Sequence, residues 1–268
     1  MRTGFYDCHL HSQMSFDSQL TMEEIAEIAF KMGFSGITYT DHVDFEYPGM
    51  GDKMIDLEAY YKHLIDVKEK YKGKIEIWGG VELGMQPHLG EKNKIFIDNM
   101  KPDFIIGSTH TAHRKDIYDG SFTFGKTQLQ AYTDYLEEIL KNIKAHPYFN
   151  VLGHLDMILR LTDYEDRSFK AIECWLLVQD ILQELIDTGR GIEVNSSGWR
   201  YGLSGPHPDF EIIKLYHDMG GTIITCGSDA HRTYSVGQDL ENSYKLIKEA
   251  GFTEMSLFVA GKEEKVKL

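Results

Sequence analysis

Phe5-Tyr6-Asp7-Cys8-His9-Leu10-His11 is a short apolar run that turns polar at its carboxyl end. Its aromatic start predicts a β-strand from Phe5 to Leu10. Side chains alternate across a strand, so His9 and His11 share one face. Two imidazoles at the end of the first strand raise a question for the rest of the chain. Do later strands run the same way, and do they end in similar chemistry?

Outward from this run, strands and helices alternate. Thr21-Met-Glu-Glu24 is a capping box, followed by Ile25, Ile28, Ala29 and Met32 at helical spacing and by Gly33 as a stop. Gly36 to Thr40 reads as a second strand, Asp56 to Tyr71 as a helix closed by Gly73, and Lys74 to Leu83 as a third strand. A helix over about 88–100 precedes a strand at Asp103–Ile106. Lys126 to Lys144 is an amphipathic helix with Leu129, Tyr132, Leu136, Ile139, Leu140 and Ile143 on one stripe. Further strands are expected at Asn150–Leu152, Gly191–Val194 and Thr222–Cys226, and helices at Ser168–Asp187, Asp209–Met219 and Leu240–Ala250. Ser256–Val259 offers a possible eighth strand.

Strands alternating with helices imply a parallel sheet with helices outside. The chain's 268 residues leave one or two domains open, because an α/β barrel can take about 250 residues. No Pro/Ser-rich linker or low-complexity segment divides it, and the units are evenly spaced. The expected fold is therefore one α/β domain over 1–268, a closed barrel. A doubly wound open sheet is the structural alternative, though no GxGxxG follows a strand to support its dinucleotide-binding form.

In parallel barrels, functional groups gather at the carboxyl ends of the strands. The ends here read Asp7-Cys8-His9-Leu10-His11 with Asp17 beyond, Thr40-Asp41-His42, Gly80-Val81-Glu82, Ser108-Thr109-His110, Gly153-His154-Leu155-Asp156, Glu193-Val194-Asn195 and Ser228-Asp229-Ala230-His231. Six of the 12 histidines fall on this one edge, so scatter does not account for them. Imidazoles and carboxylates together suit zinc, iron or manganese. The donors exceed the needs of one tetrahedral site, and Glu82 is placed to bridge two or three ions. His63, His88, His113, His146, His207 and His217 fall mostly on helices or loops and read as solvated or structural. Asp7 and Asp41 read either as partners that orient histidines or as strand-end caps.

Composition narrows the function. Hydrophobic residues at 42% and charged residues at 26% fit a globular chain and argue against disorder. A net charge of −14 repels a nucleic acid backbone. No apolar run approaches the length of a membrane span, and the N-terminus lacks the features of a secretory signal. Cys8, Cys174 and Cys226 form no disulfide framework or CxxC site. Cys8 and Cys226 read as packing residues. A cytoplasmic protein is expected, with no nucleic-acid or membrane partner.

The order HxH, TDH, E, STH, GHLD, SDAH resembles the polymerase and histidinol phosphatase (PHP) family, from residue 7 to residue 231. The length, Ser15-Phe16-Asp17, Gly153-His154-Leu155-Asp156 and Glu193-Val194-Asn195 resemble its stand-alone histidinol-phosphate phosphatases. The resemblance implies a distorted (β/α)7 barrel holding three divalent ions, zinc, iron or manganese. It assigns His9, His11, Glu82 and Asp229 to the first ion, Glu82, His110 and His154 to the second, and Asp17, His42 and His231 to the third. Some relatives carry His where this chain has Asp17.

Such a site hydrolyses phosphate monoesters. Bound cations spread the charge of the transition state and lower the pKa of bound water toward about 7. The expected step is in-line attack on phosphorus by a hydroxide bridging the first two ions. Glu82, Asp229 and His42 are expected at the reacting centre, and Arg160, Arg200 and His42 against the phosphate. A loop arginine can grip phosphate with two parallel hydrogen bonds. Glu193 or a rim carboxylate is a candidate partner for the cationic end of the substrate. The expected substrate is L-histidinol phosphate, in histidine biosynthesis; the alternative is a nucleotide or another phosphomonoester.

Overall fold

The computed structural model describes residues 2–160, 164 and 171–268. Seven strands form the barrel: β1 Tyr6–Leu10, β2 Gly36–Tyr39, β3 Glu76–Gly84, β4 Phe104–Ser108, β5 Val151–Leu152, β6 Gly191–Asn195 and β7 Ile224–Gly227. They pair in chain order, all parallel, with Ile37 beside Ile77, Val81 beside Ile105, Leu152 beside Gly107 and Ile192, and Val194 beside Cys226. The sheet curls until β7 meets β1. Leu10 and Ala230 form a parallel bridge, the His11 N–H donates to the Ala230 carbonyl at 3.0 Å, and the Asp229 N–H donates to the His9 carbonyl at 2.8 Å. The fold is a nearly closed, distorted (β/α)7 barrel, and the open-sheet alternative is excluded.

Local chemistry explains the helices that wrap it. They are α1 Met22–Lys31, α2 Leu57–Lys70, α3 Gly90–Met100, α4 Gln128–Ala145, α5 Trp175–Asp187, α6 Phe210–Asp218 and α7 Leu240–Ala250. The Thr21 hydroxyl accepts from the Glu24 N–H while the Glu24 carboxylate accepts from the Thr21 N–H, closing the capping box. Thr127 and Gln130 repeat this at α4, and Asp56 and Asp209 cap α2 and α6. Both faces of the strands are covered, so nearly every strand residue is buried, as parallel sheets require.

Three expectations need adjusting. The strand at Glu254–Val259 is not an eighth barrel strand. Ala260 and Gly261, both at positive φ, turn it back antiparallel onto Lys262–Lys267, and Arg2–Thr3 completes this separate sheet. Leu129, expected on the buried stripe of α4, is 56% exposed, because burial along that helix begins at Ala131. The helix expected from Ser168 has its regular part from Trp175, with a 3-10 turn at Ala171–Cys174; residues 168–170 lie outside the described residues.

One addition matters for the site. After β2 the chain forms a further strand, His42–Tyr47, returned by Gly51–Lys53. It pairs in parallel with the end of β3, His42 beside Glu82 and Asp44 beside Gly84. A Cβ on residue 84 would fall 1.9 Å from Asp44 Oδ1, so glycine is what lets these strands approach.

Candidate metal centre

Glu82 lies at the middle of the carboxyl edge and is 0% exposed. Its two oxygens face different histidines. Oε2 lies 3.2 Å from His9 Nε2, 3.3 Å from His11 Nε2 and 3.0 Å from His42 Nδ1. Oε1 lies 3.1 Å from His110 Nε2 and 2.8 Å from His154 Nε2. The side chains come from the ends of five strands and the loops beyond them, brought together by barrel curvature.

Separations between donors test whether cations fit. Ligands about 2.0–2.2 Å from a tetrahedral zinc lie about 3.4 Å from one another. His9 Nε2 and His11 Nε2 are 3.0 Å apart, and Asp229 Oδ1 is 3.8 and 3.4 Å from them. Glu82 Oε2 lies as close to the same two nitrogens, so His9, His11 and Glu82 form a donor set of that size, with Asp229 Oδ1 beside both imidazoles. Glu82 Oε2, although buried, accepts no hydrogen bond among the described residues, an arrangement that is costly without a cation. At the mouth, Asp17 Oδ2, His42 Nε2 and His231 Nε2 form a triangle with sides of 3.2, 3.3 and 3.5 Å. His110 and His154 complete the set around Glu82 Oε1. The residues fit divalent ions, and all nine side chains singled out from the sequence converge here.

Hydrogen bonds fix which ring nitrogen is free. A carboxylate can only accept, so His9 Nδ1 donates to Glu193 Oε1 at 2.5 Å and His110 Nδ1 donates to Asp44 Oδ1 at 2.8 Å. The Ser15 hydroxyl donates to Asp41 at 2.8 Å and accepts from His11 Nδ1 at 3.0 Å. In the neutral ring that a cation requires, each leaves Nε2 with its lone pair toward the cage. Asp41 therefore orients His11 through Ser15. Asp7 touches no imidazole nitrogen; it accepts from the Ser228 N–H at 2.9 Å and the Gly237 N–H at 3.2 Å, clamping β1 to the segment after β7.

The electrostatics are mutual. Burial pushes the Glu82 and Asp229 carboxyls up, but the surrounding imidazoles outweigh it and hold both well below the carboxylate range. Burial pushes His9, His42 and His110 down, but Glu193, Glu82, Asp17 and Asp44 outweigh it and hold them well above the usual histidine value. Burial dominates at His154 and His231, which are lowered.

Above the donors opens a cavity of about 390 Å³, lined by both predicted arginines together with Tyr118, Tyr201 and Tyr234. Arg160 Nη1 donates to Ser197 Oγ at 2.7 Å and reaches Asp229 Oδ2 at 3.4 Å, while its guanidinium lies 4.3 Å over the Tyr201 ring. Arg200 Nη2 donates to the Ser228 and Asp229 carbonyls at 3.1 and 2.9 Å; its Nη1 has no hydrogen-bond partner among the described residues. Glu193 does not line this cavity. It is 1% exposed and taken up by His9, so it is not available to the substrate's cationic end.

The other histidines lie off the site. His146 bonds the Asn142 carbonyl at 2.9 Å and His207 bonds Asp156 at 2.5 Å, both buried and structural. Sequence reasoning missed Asp44 and Tyr118. Asp44 carried a signal, lying two residues past His42 on the same strand face; Tyr118 carried none.

Comparison with known proteins agrees with this geometry. Residues 7–197 match the PHP domain family. The chain is 30% identical over 264 residues to the histidinol-phosphatase of Lactococcus lactis subsp. lactis, covering 97% of each. It is 29% identical over 244 residues to the probable histidinol-phosphatase of Clostridium acetobutylicum, covering 91% of this chain and 92% of the relative. A crystal structure of the Lactococcus lactis histidinol phosphate phosphatase, complexed with zinc, L-histidinol and phosphate, is similar with a TM-score of 0.88 at 29% identity, covering 97% of this chain and 98% of that one. A seven-stranded barrel that gathers its histidines and acids around one buried glutamate, with a family match over most of its length, places this chain in the PHP family.

Proposed function

We propose that the chain hydrolyses L-histidinol phosphate to L-histidinol and phosphate, the whole of it acting as one metal-dependent phosphomonoesterase in histidine biosynthesis. Relatives named histidinol-phosphatase, similar over nearly the full length, support the reaction. The related structure with zinc, L-histidinol and phosphate supports the ligands. The observation that carries the reading is Glu82, whose two oxygens face separate groups of imidazoles at the floor of a cavity walled by Arg160 and Arg200. Three free thiols and the absence of a membrane-length apolar helix among the described residues fit a cytoplasmic enzyme.

Zinc, iron or manganese held there, in as many as three positions, would supply positive charge to the phosphoryl oxygens and a water of lowered pKa. His9, His11, Glu82 and Asp229 would hold the first ion; Glu82, His110 and His154 the second; Asp17, His42 and His231 the third. The chain's own residues do the rest. Glu82 sets the spacing between the inner donor sets. Arg160 offers a guanidinium prepositioned by Ser197 and Tyr201, so little rotamer entropy is lost when it grips phosphate. Arg200 holds the Ser228 and Asp229 backbone carbonyls and lines the same cavity. Three tyrosines at the mouth give the imidazole end of the substrate aromatic surface rather than open water.

A kinetic panel of phosphomonoesters, run on zinc- or manganese-loaded protein, tests the substrate. The expected result is the highest kcat/KM for L-histidinol phosphate. Preference for a nucleoside monophosphate or phosphotyrosine would replace the substrate while leaving the phosphatase.

A further inference from the structure

Glu193 is a buried acid with no place in the cavity and no place among the donor cages. It lies on β6, between the strand that ends in His154 and the strand that leads to Asp229. Its contacts divide by oxygen. Oε1 accepts from His9 Nδ1 at 2.5 Å. Oε2 accepts from the His154 backbone N–H at 3.1 Å and from Asn195 Nδ2 at 3.1 Å. One carboxylate therefore grips a ring from the first donor set and a backbone from the second.

His154 depends on that grip. The rings of His9, His11 and His110 each have a partner at Nδ1, but His154 Nδ1 has none among the described residues. Its backbone is at φ +21°, outside the regions that L-residues favour. Its N–H donates to Glu193 beside its ring's contact with Glu82 Oε1 at 2.8 Å, so the acid holds the backbone from which that ring enters the site. Space for the acid is kept by Gly227, where a Cβ would lie 2.9 Å from Glu193 Oε1 and 2.2 Å from the His9 Cβ.

We infer that Glu193 is a positioning residue that couples the first and second cation sites, so that its loss weakens both together. The inference rests on the metal-dependent reading above. Asp44 serves as the internal contrast, because its one hydrogen bond to the donors goes to His110, its other oxygen lying 3.7 Å from His42 Nδ1, and it touches neither His9 nor His154. Gln at 193 keeps the volume but not the chemistry. Both oxygens of Glu193 face N–H groups, so whichever way the amide turns, its NH2 meets a donor.

The test is a zinc titration at buffered free zinc, with bound ions counted by native mass spectrometry. Parent protein, Glu193→Gln and Asp44→Asn are compared, and circular dichroism at saturating zinc checks the fold. Loss of an outer partner typically costs about 10- to 100-fold in metal affinity. Glu193→Gln is expected to shift two binding steps by that amount, and Asp44→Asn one. Asn195→Ala removes the Nδ2 donor to Glu193, together with the Oδ1 acceptor of the Ser197 N–H; it is expected to give a smaller shift in the same two steps, and it stands in if Glu193→Gln does not fold. A Glu193→Gln titration that matches the parent, or that shifts a single step as Asp44→Asn does, overturns the coupling. Parent protein that binds no zinc would overturn the metal reading itself.

Discussion

Glu82 separates two groups of imidazoles that could not otherwise sit so close. His9 Nε2 and His11 Nε2 approach to 3.0 Å, each with Nδ1 committed to a hydrogen bond, so both present lone pairs to the same point. A shared cation would remove that repulsion. His11→Ala and Asp229→Asn each delete one corner of this cage. Both are expected to lose metal affinity by more than the roughly 10- to 100-fold typical of an outer partner, and to lose phosphatase turnover, with circular dichroism unchanged. Elemental analysis beside a turnover assay checks this; parent-like zinc content in either variant would remove that residue from the cage. The histidines were legible because a strand's period of two puts residues 9 and 11 on one face. The hydrogen-bond partners were not. Glu193 was visible as a strand-end acid, but whether it faced the substrate or His9 depended on packing between β1 and β6, which local sequence does not encode.

Elements set where those residues point. Capping boxes at Thr21 and Thr127 and the Asp caps at 56 and 209 start helices where the sequence places them, because the cap chemistry is local. The strand at His42–Tyr47 was not read from the sequence; it pairs with the far end of β3 as well as with its own return at Gly51–Lys53. The strand at Glu254–Val259 was legible as a strand, but its exclusion from the barrel depends on a two-residue turn at positive φ. Thr21→Ala removes an exposed cap and nothing at the site. It is expected to cost about 1 kcal/mol and to lower Tm by about 2–4 °C, with zinc content and kcat/KM unchanged. Calorimetry and the phosphatase assay separate these outcomes, and a fall in kcat/KM would mean that α1 does more than support β1 and β2.

At the scale of the whole molecule, the site lies across the seam where the barrel closes. His9 and His11 come from the β1 side, and Asp229 and His231 from the β7 side. Few backbone hydrogen bonds join these edges, and the Asp7 clamp to Ser228 and Gly237 adds to them. Cations bound here would also hold the seam. Free zinc at 100 times its Kd stabilises the folded state by about 2.7 kcal/mol per site, so chelation is expected to lower Tm by several degrees and re-addition of zinc to restore it. An unchanged Tm on chelation would detach the cations from barrel closure. The most direct measurement of the central claim is anomalous diffraction at the zinc edge from crystals grown with zinc. The account predicts a peak about 2.0–2.2 Å from each Glu82 oxygen, one shared with His9, His11 and Asp229 and another with His110 and His154. A map with no peak between Glu82 and His9 would contradict it.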